Sequence, residues 1–437
     1  MCGIFGILSN ISLIEVINII DNLKHRGKDS FGISYFNTEL HTYKTDKLND
    51  MYKLENSFNN IKTCITHNRY STNKNKNSLL EQSQPLYFKN NNLDFSLVHN
   101  GNIANVHKYI SYEEELSDTQ NIIKFFENVN TYNFEERLKE FINTVHCSYS
   151  IIIMYKDILY VLRDRYGYKP LTLGLIDNNY CISSENCIND FVTIRDINPG
   201  EIIKIDSSGY KTIYYKKNKL ELSCIFEYIY FMNQDTTVNT DKLYNIRKNL
   251  GKNLASMEII KFPNNNTIVV GSPNTAIPMG CGYAEYLNLT YKQLLVKEKT
   301  CGRTFILKDQ KSRQNECKKF IVNKELIKDK IIILVDDSLV RGNTLKSLSK
   351  LFFANECKEL HVRICSPELK YPCYYGIDIP TKEELIINNY TIPQIEKKCN
   401  LTSLRYISLE SMIQSFNNDT EFCTACFSGN YNKELDW

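Results

Sequence analysis

Apolar positions follow one rhythm up to about Leu222 and another beyond it. Gly3 to Leu8 is an apolar run short enough for a buried strand. Ser12 and Glu15 make a capping-box pair ahead of Val16, Ile17, Ile20 and Leu23, the spacing of a helix packed on one face. From there to Leu222 the pattern predicts mainly short strands, at 61–66, 96–99, 150–155, 159–163 and 202–205, separated by turns such as Asn198-Pro199-Gly200. The second half alternates strand with helix. Residues 267–270 are β-branched and lead into Gly271-Ser272-Pro273, and 330–335 is a continuous apolar run ending in Asp336-Asp337. A glycine loop, a helix carrying Leu345, Leu348, Leu351 and Phe352, and a strand at 360–365 follow. That order is a parallel α/β unit, whose ligand sits at the carboxyl end of the strand. Two domains are expected, residues 2–222 and 223–437, and the lack of a Pro/Gly/Ser-rich linker predicts close packing between them.

Composition narrows the choice of partner. The 437 residues are 42% hydrophobic and 24% charged, ordinary for a soluble globular enzyme. Lys+Arg 53 against Asp+Glu 50 leaves a formal charge of +3, so bulk electrostatics point to no nucleic acid and no membrane surface. No apolar run reaches spanning length, and the first residues carry neither a basic leader nor a cleavage pattern, so a cytoplasmic location is expected. Fifteen cysteines without a secretory signal argue for a reducing compartment, with most of them expected as small core residues.

Cys2 changes the picture most. Removing Met1 leaves a thiol and a free α-amine on one residue. That amine, with a reference pKa of roughly 7.7–8.0, can accept the thiol proton directly or through a water. This is the chemistry of N-terminal-nucleophile hydrolases; the competing reading is a buried cysteine that happens to fall second. Amide hydrolysis also needs donors aimed at the developing oxyanion, each worth roughly 2.7–4 kcal/mol. Asn100-Gly101 offers a side-chain amide beside an unhindered backbone N–H, although alone such a pair is more often a tight turn. Arg69 alone is an ordinary surface charge.

Together, Cys2-Gly3-Ile4-Phe5-Gly6, Arg26-Gly27, His67 with Arg69-Tyr70-Ser71-Thr72, His99-Asn100-Gly101-Asn102 and Ser117-Asp118-Thr119 resemble the class II glutamine amidotransferases. The resemblance implies that Cys2 is the nucleophile, its own amine the base, and Asn100 with Gly101 the oxyanion hole. It also implies that Arg26, Arg69 and Asp118 bind glutamine, Arg69 at the α-carboxylate and Asp118 at the α-ammonium. Arg163-Asp164 and Ser183-Ser184-Glu185 read as scaffold. Cys147 and Thr66 stand where that family usually has glycine, and both are expected to be packing changes.

In the second half, adjacent carboxylates at a strand end can accept the 2- and 3-hydroxyls of a ribose. The loop that follows, opening a helix, offers N–H groups and Thr344 to a phosphate; the plainer reading is an acidic helix-capping turn. Residues 333–344 look like the phosphoribosyl-pyrophosphate (PRPP) signature of type I phosphoribosyltransferases. With Phe226-Glu227-Tyr228, Gly302-Arg303-Thr304-Phe305-Ile306, Ser366-Pro367, Tyr371-Pro372-Cys373 and Cys423-Thr424-Ala425-Cys426, the whole chain resembles the glutamine PRPP amidotransferases. The implied fold is mixed α/β and α+β: an N-terminal-nucleophile αββα glutaminase domain, then a type I phosphoribosyltransferase Rossmann-like domain. The implied activity moves ammonia from glutamine to PRPP. By the same resemblance Asp336 and Asp337 position the ribose and hold Mg²⁺. Ser338, Arg341, Gly342, Asn343 and Thr344 bind the rest of PRPP, and Lys297 reaches its pyrophosphate. Inhibitory purine nucleotides and a homotetramer or dimer are further expectations.

Cys423 and Cys426 form a CxxC, open by itself to zinc, a cluster, redox chemistry or chance. In one branch of the resembled family, cysteines at the positions of Cys224, Cys373, Cys423 and Cys426 hold a [4Fe–4S] cluster. That group is therefore implied here, tying down the C-terminal tail, although four thiolates also suit zinc. Three segments depart from the family: Lys297-Glu298-Lys299-Thr300, Asn274 after Pro273, and Met232-Asn233-Gln234-Asp235. They fall on lid and leaving-group positions and leave a second reading open, a PRPP- or nucleotide-binding regulator or an uncoupled glutaminase. Intact Cys2, Arg69, Asn100 and Asp118 favour a working amidotransferase.

Overall fold

The computed structural model describes residues 1–55, 58, 61–70, 79–104, 108, 116–131, 133–297, 320–321, 324–379, 381–416 and 421–435. The first half is built from β1 (Gly3–Ile7), β2 (Ser30–Phe36), β3 (Leu40–Thr45), β4 (Thr63–Arg69), β5 (Leu86–Lys89), β6 (Asp94–Asn102) and β7 (Ser148–Tyr155). It continues with β8 (Ile158–Arg163), β9 (Thr172–Ile176), β10 (Asn179–Ser183), β11 (Val192–Asp196), β12 (Glu201–Asp206) and β13 (Gly209–Tyr215). They form two antiparallel sheets, ordered β11-β9-β10-β1-β4-β2-β3 and β13-β12-β8-β7-β6-β5.

Alternation along β1 decides the layering. Ile4 faces the space between the sheets, with Ile65, Val98, Ile152 and Val161. Phe5 and Ile7 face the other way, onto Val16, Ile17 and Ile20 of helix α1 (Leu13–Asn22). The capping box forms as expected: Glu15 N–H donates to Ser12 Oγ and Ser12 N–H to the Glu15 carboxylate. On the far side, α2 (Asp118–Asn128) and α3 (Phe134–Thr144) cover the second sheet through Ile122, Phe126, Leu138 and Phe141. The order helix, sheet, sheet, helix is the expected αββα sandwich. The strand pattern had not predicted α2 or α3, whose polar faces dilute their apolar period, although Ser117 and Gln120 form the same capping box as Ser12 and Glu15. One edge of the first sheet is β11, where Val192 is 62% exposed and the register slips between Thr193 and Arg195.

The second half holds a five-stranded sheet, parallel throughout, in the spatial order Thr290–Tyr291, Thr267–Gly271, Ile331–Asp336, Glu359–Ile364, Ser403–Tyr406. The strands Thr267–Gly271 and Ile331–Asp336 are apolar on both faces, as a sheet sandwiched by helices requires. Helices Leu243–Ser256 and Ile277–Tyr286 pack Leu250, Leu254, Met279 and Tyr283 onto Val269, Ile333 and Val335. Helices Asn343–Ala354 and Ile392–Cys399 pack Leu345, Leu348, Phe352 and Ile395 onto Ile332, Leu334 and Val362. The halves dock closely: Met1, 3% exposed, lies in the second half's core beside Cys224 and Phe226. No described helix is long and apolar enough to cross a membrane.

Candidate active sites

Strand ends of the two stacked sheets bring Cys2, just before β1, against Asn100 near the end of β6. Cys2 N–H donates to Asn100 Oδ1 at 3.1 Å. That contact turns the amide so that its Nδ2 is buried with no hydrogen-bond partner among the described residues. An unspent buried donor beside a nucleophile costs stability, so a ligand acceptor is its natural partner. Asn100-Gly101 is not a turn: both residues sit within the β6–β7 ladder, opposite Ser150 and Tyr149. Gly101 is needed for close approach, since a Cβ there would lie 2.1 Å from the Ser148 carbonyl oxygen. The Cys2 Sγ lies 4.0 Å from the Tyr70 carbonyl.

Arg69 ends β4 facing this pair. Burial works against its charge, while Cys2, Asp29 and Asp118 favour it, so the thiol and both carboxylates are its electrostatic neighbours. Its guanidinium donates to the Leu79 carbonyl at 2.8 Å and to Gln82 Oε1 at 3.1 Å. Asp118 opens α2, with Oδ2 3.7 Å from His99 Nδ1. Burial lowers the His99 imidazole, with Asp118 opposing and Lys169 adding to the effect. Gln84, which carried no signal in the sequence, accepts His99 N–H at 2.6 Å and donates to Thr119 Oγ at 3.0 Å. Ser71 and Thr72 lie outside the described residues.

Arg26 is a correction. Expected on glutamine, its side chain is fully buried and spent within the protein. Nε donates to the Cys2 carbonyl at 2.9 Å, Nη1 pairs with Glu185, and Nη2 meets both Glu227 oxygens at 3.1 Å. Burial opposes its charge, but Glu227 and Glu185 more than offset that and hold the guanidinium above its usual range. Glu185, read as scaffold, also takes His25 Nε2, Asn233 N–H and the Thr236 hydroxyl. His25, Glu185 and Cys187 bring their ligand atoms within 4.8 Å of one another. That set could hold a metal, but the Glu185 oxygens already serve those four partners. Cys147 and Thr66 are both buried.

The acidic pair stands at the carboxyl end of the strand Ile331–Asp336, in the place the pattern predicted. Asp337 N–H donates to Asp336 Oδ1 at 3.0 Å, and Ser338 Oγ to Asp337 Oδ1 at 2.6 Å. Burial and then the charge of Asp337 push the Asp336 carboxyl well up. Gly342, at φ +78°, caps the helix Asn343–Ala354 from the left-handed region, so Asn343 and Thr344 fill its first turn, the end of a helix that favours an anion. Arg341 Nε is held by Glu384 at 2.7 Å. Lys297 ends a two-residue strand opposite Phe320. Glu298, Lys299, Thr300 and the 302–306 motif lie outside the described residues.

The cysteine set gathers where the halves meet. Cys224 stands opposite Cys423 in a parallel two-strand ribbon, and Cys426 lies one helical turn on. Cys373 Sγ accepts the Tyr375 N–H at 3.3 Å. No three of these sulfurs lie within 4.8 Å of one another, wider than a single zinc ion with Zn–S of about 2.3 Å closes around. Burial raises the Cys224 thiol to about 12, and charge on Cys373 adds to it. The same segment touches the first site, with Asn102 Nδ2 donating to the Tyr374 carbonyl at 2.8 Å and Ser148 Oγ to the Tyr375 carbonyl at 3.1 Å.

Residues 67–188 match the glutamine amidotransferase domain family and residues 239–368 the phosphoribosyl transferase domain family. Over its full length the chain is 32% identical to an amidophosphoribosyltransferase of Methanocaldococcus jannaschii, covering 98% of it. It is 30% identical to the human amidophosphoribosyltransferase, again across 100% of this chain and 98% of the relative. In structure it is similar to the Bacillus subtilis glutamine PRPP amidotransferase complexed with ADP and GMP, with TM-score 0.87, 28% identity and coverage of 100% and 99%.

Proposed function

This chain belongs to the amidophosphoribosyltransferase family, and on that premise we infer which residues divide the work. The enzyme takes ammonia from glutamine and transfers it to PRPP, giving glutamate, 5-phosphoribosylamine and pyrophosphate, the opening step of purine nucleotide biosynthesis. Residues 2–222 carry the glutaminase and 223–437 the transferase in our reading.

Once Met1 is removed, the Cys2 amine takes the thiol proton and Sγ attacks the amide carbon of glutamine. Asn100 Nδ2 and the Gly101 N–H receive the oxyanion, and Arg69 and Asp118 hold the α-carboxylate and α-ammonium. Collapse of the intermediate releases ammonia and leaves a thioester, which water cleaves to glutamate. Ammonia then attacks C1 of PRPP as the C1–O bond to pyrophosphate breaks. Asp336 and Asp337 accept the ribose hydroxyls, and the first turn at Asn343 and Thr344 cradles the 5-phosphate. Mg²⁺, for which Asp336 and Asp337 are the fitting oxygen ligands, would neutralise charge on the leaving pyrophosphate. Cys224, Cys373, Cys423 and Cys426 suit a [4Fe–4S] cluster, since Cys224 and Cys423 face each other across the ribbon, Cys426 feels the charge of the other three and an N–H is already bonded to one sulfur; such a group would tie the tail to the ribbon.

The observation that carries the glutaminase half is the Cys2–Asn100 contact, which leaves one buried amide donor unspent. Asn100→Ala is expected to lower kcat for glutamine hydrolysis by about 10²–10³, or ~2.7–4 kcal/mol, with KM little changed. A rise in KM with kcat unchanged would remove Asn100 from the oxyanion hole. The function as a whole is tested by measuring glutamate and pyrophosphate release from anaerobically purified protein, with and without PRPP and Mg²⁺. Coupled release supports the transferase; glutamate without pyrophosphate would favour an uncoupled glutaminase. The ADP and GMP carried by the B. subtilis structure support purine nucleotides as inhibitory ligands here, and a cytoplasmic location accords with that pathway.

A further inference from the structure

We propose that Lys169 is the countercharge of the four-cysteine set: a buried ammonium from the glutaminase half that favours the set's anionic, metal-loaded form. The inference rests on the reading that Cys224, Cys373, Cys423 and Cys426 hold a cluster.

Lys169 is 0% exposed. A buried ammonium ordinarily meets a carboxylate, because desolvating an unpaired charge is costly. Among the described residues none pairs with Lys169. Its Nζ donates instead to the thioether sulfur of Met1, at 3.1 Å. A thioether is a weak acceptor, and it leaves when Met1 is removed. The chain beside Lys169 leads to the cysteine set, although its charge also acts on His99 of the first site. The Cys224 N–H donates to the carbonyl of the preceding residue, Tyr168, at 3.2 Å. The Tyr168 ring stacks on Tyr375 at 4.6 Å, two residues beyond Cys373. Met1 shares its core with Cys224 and Cys426. The positive charge also reaches the thiols of Cys224 and Cys423, where it opposes the upward push of burial.

The charge arithmetic gives the direction. Four thiols are neutral. Four thiolates around a [4Fe–4S]²⁺ core, or around Zn²⁺, carry a net charge of −2. Binding a preassembled [4Fe–4S]²⁺ core breaks four S–H bonds, forms four S–Fe bonds and sends four protons to solvent, with no electron transferred. A fixed positive charge beside the set therefore stabilises the loaded state over the empty one.

The test is anaerobic reconstitution of the wild type, Lys169→Met and Lys169→Arg with sulfide and equal amounts of ferrous and ferric iron, followed by iron release to a chelator and by reductive titration. Lys169→Met is expected to release iron about tenfold faster than wild type and to reduce at a more negative potential. Lys169→Arg, which restores the charge, should stay within about twofold of wild type. Equal release and equal potential in Lys169→Met would overturn the proposal. A wild type that takes up neither iron nor zinc would sink the reading of the cysteines, and this proposal with it. Uptake of zinc alone would overturn the cluster reading and this proposal with it. Far-UV circular dichroism checks that the variants fold; if Lys169→Met does not, Lys169→Gln removes the charge while keeping a polar chain.

Discussion

Cys2→Ala is expected to lower glutamine-dependent formation of 5-phosphoribosylamine by about 10³-fold or more, while formation from ammonium salts continues near the wild-type rate. The split follows from the architecture. The nucleophile lies at the edge of an antiparallel sandwich, and the acidic pair lies at the end of a parallel strand in a separate sheet. Removing one sulfur from the first leaves Asp336, Asp337 and the Gly342-capped helix untouched. The variant changes little else, because Cys2 is held through its backbone N–H and carbonyl, by Asn100 and Arg26. Parallel assays with glutamine and with ammonium measure both arms. Loss of the ammonium arm would mean that the two sites are not separable, and survival of the glutamine arm would place the nucleophile elsewhere.

The second large effect belongs to Arg26. Arg26→Met is expected to destabilise the fold by about 3–5 kcal/mol, because it leaves carboxylates buried without their cation. Glu185 keeps His25, Asn233 and Thr236. Glu227, 1% exposed, loses the guanidinium that meets both its oxygens. The cost should therefore track Glu227: Arg26→Met with Glu227→Gln should recover a good part of the loss in urea unfolding. No recovery would mean that packing, not charge, dominates. The same variant should depress glutamine-dependent activity, since the Cys2 carbonyl loses its donor.

What could be read beforehand was local. The Ser12–Glu15 box, the apolar strand running into Asp336-Asp337 and the glycine before the helix each lie within a few residues, and each appears where the pattern put it. Asn100-Gly101 was ambiguous because the dipeptide alone favours a turn; only pairing with Ser150 and Tyr149 makes it strand. Arg26 was misplaced for the same physical reason. Its partners lie 159 and 201 residues away, and a buried pair at such separations leaves no period and no motif. The Arg341–Glu384 pair was equally invisible, its members standing 43 residues apart. Lys169 gave no warning at all, being one cation among 53 until its burial was seen.

The slipped register in β11 also bears on how crowded a solution this chain tolerates. A straight edge strand with Val192 and Ile194 turned outward would offer an unbroken row of N–H and C=O groups to the edge of another molecule. With Ile194 as the extra residue between Thr193 and Arg195, that row loses its even spacing, and Arg195 and Asp196 follow at once with opposite charges. One surplus residue at a sheet margin thus guards against strand-by-strand self-association.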